Sequence, residues 1–226
     1  MERRDNLYGR RKGKPLSPRR LALMATVYPT LAVDVATAGP GDLRTIFPSP
    51  VSDIRLEIGF GGGEHLIAVA TERNDLGFIG VEPFVNGMAK VVASVADRDL
   101  RNIRLFDGDA VRLLDWLPPA SLGEIDLFYP DPWPKKRHFK RRFVSRANLD
   151  RFARVLLPGG LFRFVSDVAS YVEWTLLHTL PHADFAWTAE RAGDWRRPFP
   201  DWPGTRYEAK ALAAGRKPGY LTFKRR

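Results

Sequence analysis

The chain has 226 residues, 44% of them hydrophobic, enough for one well-filled core, and it reads as a single domain at 21–226 behind a basic tail at 1–20. Its zero cysteines exclude a disulfide framework and thiolate-held zinc or iron-sulfur centres, and His65, His138, His178 and His182 lack metal-ligand spacing, so no metal is expected. The net charge of +10 is concentrated: residues 1–20 and 135–142 each carry +6, leaving −2 for everything else, a distribution that suits a polyanionic partner.

Residues 1–20 combine arginines with Gly9, Gly13, Pro15 and Pro18, which predicts a flexible tail. Arg19-Arg20, the apolar run from Leu21 to Val27 and Ala36-Thr37-Ala38 imitate a secretory leader. Prolines precede that run and Tyr28-Pro29 cuts it, and no segment reaches transmembrane length, so the expectation is a cytoplasmic protein without membrane contact. Residues 21–35 are expected to form a short helix or an irregular cap over the sheet.

A repeating pattern then begins. The spacing predicts strands at 54–58, 77–81, 102–106, 125–129 and 161–165, and helices at 64–73, 84–95, 109–116 and 143–156, the last closed by Pro158-Gly159-Gly160. Alternation of strand and helix means an α/β fold with a mostly parallel, doubly wound sheet. Residues 184–188 and 220–224 read as strands separated by a polar, aromatic loop, which gives the sheet an antiparallel C-terminal finish.

Ligands in such sheets sit at the carboxyl ends of the strands. There this sequence carries Glu57-Ile58-Gly59-Phe60-Gly61-Gly62-Gly63, then Glu82, Asp109, Asp131 in Tyr129-Pro130-Asp131-Pro132-Trp133-Pro134, and Asp167. The dinucleotide pattern G-x-G-x-x-G would need glycine at position 64, which is Glu64, and an acid opening the helix repels pyrophosphate. S-adenosylmethionine has no phosphate and meets no such objection. Glu82 suits ribose hydroxyls, Glu57 the cationic amino-acid end of that donor and Asp109 the adenine amino group, although Asp109 also reads as a helix cap. Pro130 and Pro132 fix the direction of the Asp131 carboxylate, and Trp133 offers a base a stacking surface.

The Glu57-Ile58-Gly59-Phe60-Gly61 and Pro130-Asp131-Pro132-Trp133 elements, the run Lys135-Lys136-Arg137-His138-Phe139-Lys140-Arg141-Arg142, Ser166-Asp167 and Thr205-Arg206-Tyr207-Glu208 together resemble the bacterial tRNA (guanine-N7-)-methyltransferases over residues 50–226. The resemblance implies a Rossmann-like class I methyltransferase fold, S-adenosylmethionine as donor, and N7-methylation of a variable-loop guanine in tRNA. It further implies Asp131 as catalytic residue, donor contacts from Glu57, Gly59, Gly61, Glu82, Asp109 and Asp131, and substrate contacts from Lys135, Asp167, Thr205, Arg206, Tyr207 and Glu208. Arg137, His138, Phe139, Lys140, Arg141 and Arg142 would touch RNA. Tyr129 and Tyr207 stand where the family usually has phenylalanine, which keeps an aromatic ring at both positions.

Guanine N7 has an in-plane lone pair, so the expected chemistry is one displacement with no prior deprotonation. A fixed carboxylate would favour the charge that develops on the purine. A non-catalytic tRNA-binding protein is the alternative, and a nicotinamide oxidoreductase is disfavoured by Glu64. The sequence leaves monomer and homodimer equally open.

Overall fold

The structure, a computed structural model, describes residues 11–200 and 202–226. Ser17 caps α1 (Pro18–Thr26) by accepting from the Arg20 amide, with Pro18 in the first turn, where a missing N–H goes unnoticed. α2 (Tyr28–Leu31) follows at once. Then come β1 (Ile54–Ile58), α3 (Glu64–Glu72), β2 (Gly77–Val81), α4 (Val85–Arg98), β3 (Ile103–Phe106), α5 (Ala110–Trp116) and β4 (Leu122–Phe128). The chain finishes with α6 (Arg146–Val155), β5 (Leu156–Ser166), α7 (Ala169–Thr179), β6 (Phe185–Trp187), α8 (Arg206–Ala213) and β7 (Gly219–Arg225).

One seven-stranded sheet runs in the order β3-β2-β1-β4-β5-β7-β6, with β7 antiparallel to both of its neighbours. Strand order reverses between β1 and β4, which opens a crevice at their carboxyl ends. Helices cover both faces. Leu66, Phe78, Met88, Val92 and Ile103 form the core under α3 and α4. Leu56, Ile79, Leu113, Phe152, Phe162 and Tyr171 form the larger core under α5, α6 and α7.

The structure differs from the sequence expectation at four places. Residues 1–10 of the expected flexible tail lie outside the described residues, but 11–20 are engaged. The Arg11 carbonyl accepts from the Val85 amide at 3.0 Å, and Asn86 accepts from the Gly13 amide and donates to the Lys14 carbonyl, each at 2.7 Å. The polar loop expected before the last strand contains α8, because Thr205 accepts from the Glu208 amide at 3.1 Å and starts a helix. α7 has no counterpart in the sequence pattern. Pro158-Gly159-Gly160 does not separate helix from strand: β5 starts at Leu156 and absorbs the segment beside an irregularity in its pairing with β4 between Leu122 and Glu124.

On the sheet face toward α3, alternate residues are ionic. Arg55 and Glu57 of β1, Glu124 and Asp126 of β4 and Arg163 of β5 point the same way, because Glu57 pairs in register with Asp126 and Asp126 with Arg163. Arg163 grips Asp126 through Nε at 2.8 Å and Nη2 at 3.1 Å and reaches Glu124 at 2.7 Å, while Arg55 meets Glu124 at 3.2 Å. Phe199 lies under the Arg163 guanidinium, 4.7 Å from ring centroid to Cζ.

Candidate active site

A cleft of about 670 Å³ opens at the β1/β4 crevice, lined by Gly59, Gly61, Glu82, Asp109, Asp131 and Tyr207 among others. Its floor is the glycine loop between β1 and α3. Gly59, Gly61 and Gly63 have φ of 75°, 56° and 74°, the left-handed region in which a side chain is strained, so the G-x-G-x-G spacing is a conformational requirement. A Cβ on Gly63 would also lie 2.2 Å from Val91 Cγ2, so this glycine lets α3 and α4 approach.

Glu82, at the exit of β2, holds that loop in place. Its Oε2 accepts from the Gly61 amide at 2.7 Å and its Oε1 from the Phe84 amide at 2.9 Å. Burial raises its pKa, and the Asp131 charge adds to the rise against the pull of the two amides and Arg206. Asp109 caps α5 by accepting from the Val111 amide at 2.9 Å, so the structural reading of this residue holds alongside its place in the cleft.

Glu64 occupies the start of α3 and bonds Lys90 at 2.9 Å, with Arg206 Nε 3.8 Å away. A diphosphate docked on that helix end would meet a carboxylate. Space is open over Gly59, where a methyl in place of hydrogen would meet nothing within 4 Å. That space and the acceptors of Glu82 and Asp109 fit an uncharged or cationic nucleoside.

The Pro130-Asp131-Pro132 segment is bracketed by two strained residues, Tyr129 at φ 49° and Trp133 at φ 43°. Aromatic residues in this region cost roughly 1–3 kcal/mol each and persist only where surrounding contacts impose them. Those contacts are visible. The Tyr129 amide bonds the Val165 carbonyl at 2.8 Å, and its ring stacks near Tyr207 at 6.2 Å and 21°. Arg141 sits over the Trp133 ring at 4.9 Å, and His138 meets its edge at 5.9 Å. Asp131 is exposed to the cleft, yet the surrounding wall removes enough water to raise its pKa.

Arg142 departs from the expected RNA contact. It is 3% exposed, and its Nε donates to the Pro132 carbonyl at 3.0 Å while Nη1 and Nη2 donate to the Ser170 carbonyl and hydroxyl at 2.7 and 3.0 Å. Phe139, Tyr171 and Trp174 surround the guanidinium at 3.7, 4.8 and 5.4 Å. Phe139 is likewise occupied, meeting Trp174 edge-on at 5.5 Å. Arg137, Lys140 and Lys135 remain exposed at a 3-10 turn spanning 136–141, with His138 beside them. Partial desolvation and the cations Arg141, Arg137, Lys135 and Lys140 lower the His138 pKa, which favours the neutral ring.

The far wall comes from the first turn of α8. A Cβ on Gly61 would stand 3.4 Å from both Arg206 Nη2 and Tyr207 Cε2, so these side chains close directly over the glycine loop. Glu208 faces away from the cleft: it is buried, takes the Trp202 indole N–H on Oε2 at 2.7 Å, and accepts the Tyr220 hydroxyl on Oε1. Thr205 serves as the helix cap. Asp167 pairs with Arg216 Nε at 2.5 Å, a partner the sequence does not single out. Glu57, one residue before the cleft-lining Ile58, is buried and engages His65 Nδ1 through Oε2 alone, at 2.8 Å. Lys135, Asp167, Thr205, Glu208, Glu57, Arg137, His138 and Phe139 are thus outside the cleft lining, whereas Gly59, Gly61, Glu82, Asp109, Asp131, Lys140, Arg141, Arg142, Arg206 and Tyr207 lie within it.

Among the described residues no helix is long and apolar enough to cross a membrane, and no cluster of three metal-ligating side chains occurs. A family model described as "Putative methyltransferase" matches residues 52–219. A curated tRNA (guanine-N(7)-)-methyltransferase of Mesorhizobium japonicum is 61% identical over 222 residues, covering 98% of this chain and 95% of the relative. The protein of the same name from Brucella melitensis is 57% identical over 226 residues, covering 100% of this chain and 97% of its own length. Among solved structures, the 16S rRNA methyltransferase KamB aligns with TM-score 0.53 at 19% identity, covering 77% of this chain and 88% of that one. TrmN from Thermus thermophilus aligns with TM-score 0.54 at 13% identity, covering 92% of this chain and 48% of that one. Those two likenesses speak for the fold alone.

Proposed function

The chain belongs to the tRNA (guanine-N(7)-)-methyltransferase family, and on that premise we propose how its cleft carries the reaction. The enzyme transfers a methyl group from S-adenosylmethionine to N7 of a guanine in tRNA, and the variable-loop guanine is the target we assign. The cytoplasm, where tRNA is found, is its place of action. One observation carries the site assignment: Gly61, Glu82, Asp131 and Tyr207, from four separate segments, line a single cleft.

When bound, S-adenosylmethionine supplies an electrophilic methyl on a sulfonium centre. Glu82 and Asp109 accept from the nucleoside, each with lone pairs beyond those used by backbone amides. Gly59 and Gly61 allow backbone to approach, and Glu57 accepts from the amino-acid end through Oε1. Tyr207, 44% exposed at the cleft, offers the flipped purine a stacking face. Asp131 orients the purine by accepting from its N1–H or amino edge and opposes the positive charge that grows on the ring during attack.

Lys140 and Arg141 at the mouth, with Lys135 and Arg137 beside them, grip the RNA backbone. Asp167 and Glu208 act at one remove from the base, Asp167 through Arg216 and Glu208 by fixing Trp202 and Tyr220.

The test is nucleoside mass analysis of an unmodified tRNA transcript incubated with donor. Wild type should add one methyl to guanosine at N7. Asp131→Asn should lower kcat by about 100-fold or more, the loss typical of a transition-state electrostatic group, with a smaller change in donor affinity. Methylation at another atom, or an unimpaired Asp131→Asn, would refute the assignment.

A further inference from the structure

The buried ionic stripe on the α3 face contains a charge that the cleft chemistry does not use. Among the described residues, Glu57, Glu124 and Asp126 place three carboxylates there and Arg55 and Arg163 two guanidiniums, so the stripe is one negative charge in excess unless His65 is protonated. Glu57 and Asp126 sit opposite each other in register, an arrangement of like charges that is destabilising without a cation beside it. Arg163 takes Asp126, and His65, on the first turn of α3 and 3% exposed, supplies the partner of Glu57.

Its Nδ1 lies 2.8 Å from Glu57 Oε2, and its Nε2 is buried with no hydrogen-bond partner among the described residues. Instead the ring has Trp202 tilted beside it at 5.4 Å and Phe128 edge-on at 4.8 Å. An imidazolium at that distance from an indole gains a cation-π attraction that a neutral ring lacks. The charged groups facing His65 are Glu57 from β1, Asp126 from β4 and Arg163 from β5. Burial lowers the His65 pKa, but the two carboxylates outweigh it and Arg163, and the net direction is up.

We propose that His65 is a positioning residue of the donor site: as an imidazolium it fixes the Glu57 carboxylate by Oε2, leaves Oε1 for the donor, and seats Trp202. Through the Trp202 N–H the same ring supports Glu208, so the donor loop and residues 202–208 share one electrostatic anchor. The inference rests on the donor-site reading of Glu57 given above.

The experiment is calorimetric titration of S-adenosylhomocysteine into wild type and His65→Gln across neutral to alkaline pH. Wild-type affinity should fall as the imidazolium titrates, by about tenfold in all. His65→Gln should bind about tenfold more weakly at neutral pH and lose that pH slope, with kcat reduced less than donor affinity. Equal affinity and an unchanged slope in the variant overturn the proposal. Failure of wild type to bind at all overturns the donor-site reading instead. Should His65→Gln not fold, the ring nitrogen shifts of ¹⁵N-histidine-labelled wild type decide: an imidazolium at neutral pH supports the proposal, and a neutral tautomer ends it.

Discussion

The Nε of Arg142 donates to the carbonyl of Pro132 at 3.0 Å, so the last residue of the basic run holds the Pro130-Asp131-Pro132 loop. Its other two nitrogens are tied to Ser170 on α7. The strained turn of Tyr129 to Trp133 is therefore fastened to the body of the protein by one guanidinium. Arg142→Lys keeps the charge but loses the planar fork, and should lower unfolding free energy by about 1–3 kcal/mol. Turnover should fall with it. Urea unfolding and steady-state kinetics check this, and wild-type stability in the variant would remove the clamp.

The members of the run at the cleft mouth behave differently. Lys140→Ala and Arg141→Ala should each reduce the slope of log tRNA affinity against log salt by about one, the change expected when a single phosphate loses its cation. Arg142→Ala should leave that slope where it is in whatever fraction of the protein stays folded. Filter binding at several salt concentrations separates the two behaviours; a slope change for Arg142 alone would reverse the assignment.

Gly61→Ala places a methyl at φ 56° and 3.4 Å from Arg206 and Tyr207. The backbone strain alone is about 1–2 kcal/mol, and the wall of α8 must also move. Donor affinity should weaken by about tenfold, a change corresponding to about 1.4 kcal/mol. Gly41→Ala, whose added methyl meets nothing within 4 Å, is the control and should change neither stability nor binding.

Stability should depend on pH through His65. Desolvation would lower its pKa, but Glu57 and then Asp126 raise it above the ordinary 6.5. A raised folded-state value means that the stabilising contribution is complete below the unfolded pKa and disappears as pH climbs through the folded one. Urea unfolding free energies should thus decline as pH rises above 6.5 in wild type and stay flatter in His65→Gln. Parallel curves would show that another group carries the dependence.

The parts of the site written in local chemistry are legible from the chain. Gly59, Gly61 and Gly63 announce left-handed turns, Pro130 and Pro132 announce a fixed loop, and Glu82, directly after β2, falls in the crevice, whereas Asp167, directly after β5, does not. What escapes is tertiary. Arg142 looks identical to Arg141 in a run of cations, and its burial against Ser170, Tyr171 and Trp174 depends on a helix that the pattern does not reveal. Thr205 and Glu208 have the spacing of a helix start, but reading them as substrate contacts hides α8. The sequence says of His65 only that it lacks metal-ligand spacing; its partnership with Glu57 depends on α3 folding back over β1.

Glu82 takes the Gly61 and Phe84 amides on its two carboxylate oxygens, so the glycine loop is tied to the end of the neighbouring strand by bonds internal to the protein. A loop held in this way needs little further ordering to receive a ligand. On the donor reading proposed above, a spent donor, with the same sugar and base as a fresh one, would meet the same contacts and compete for them.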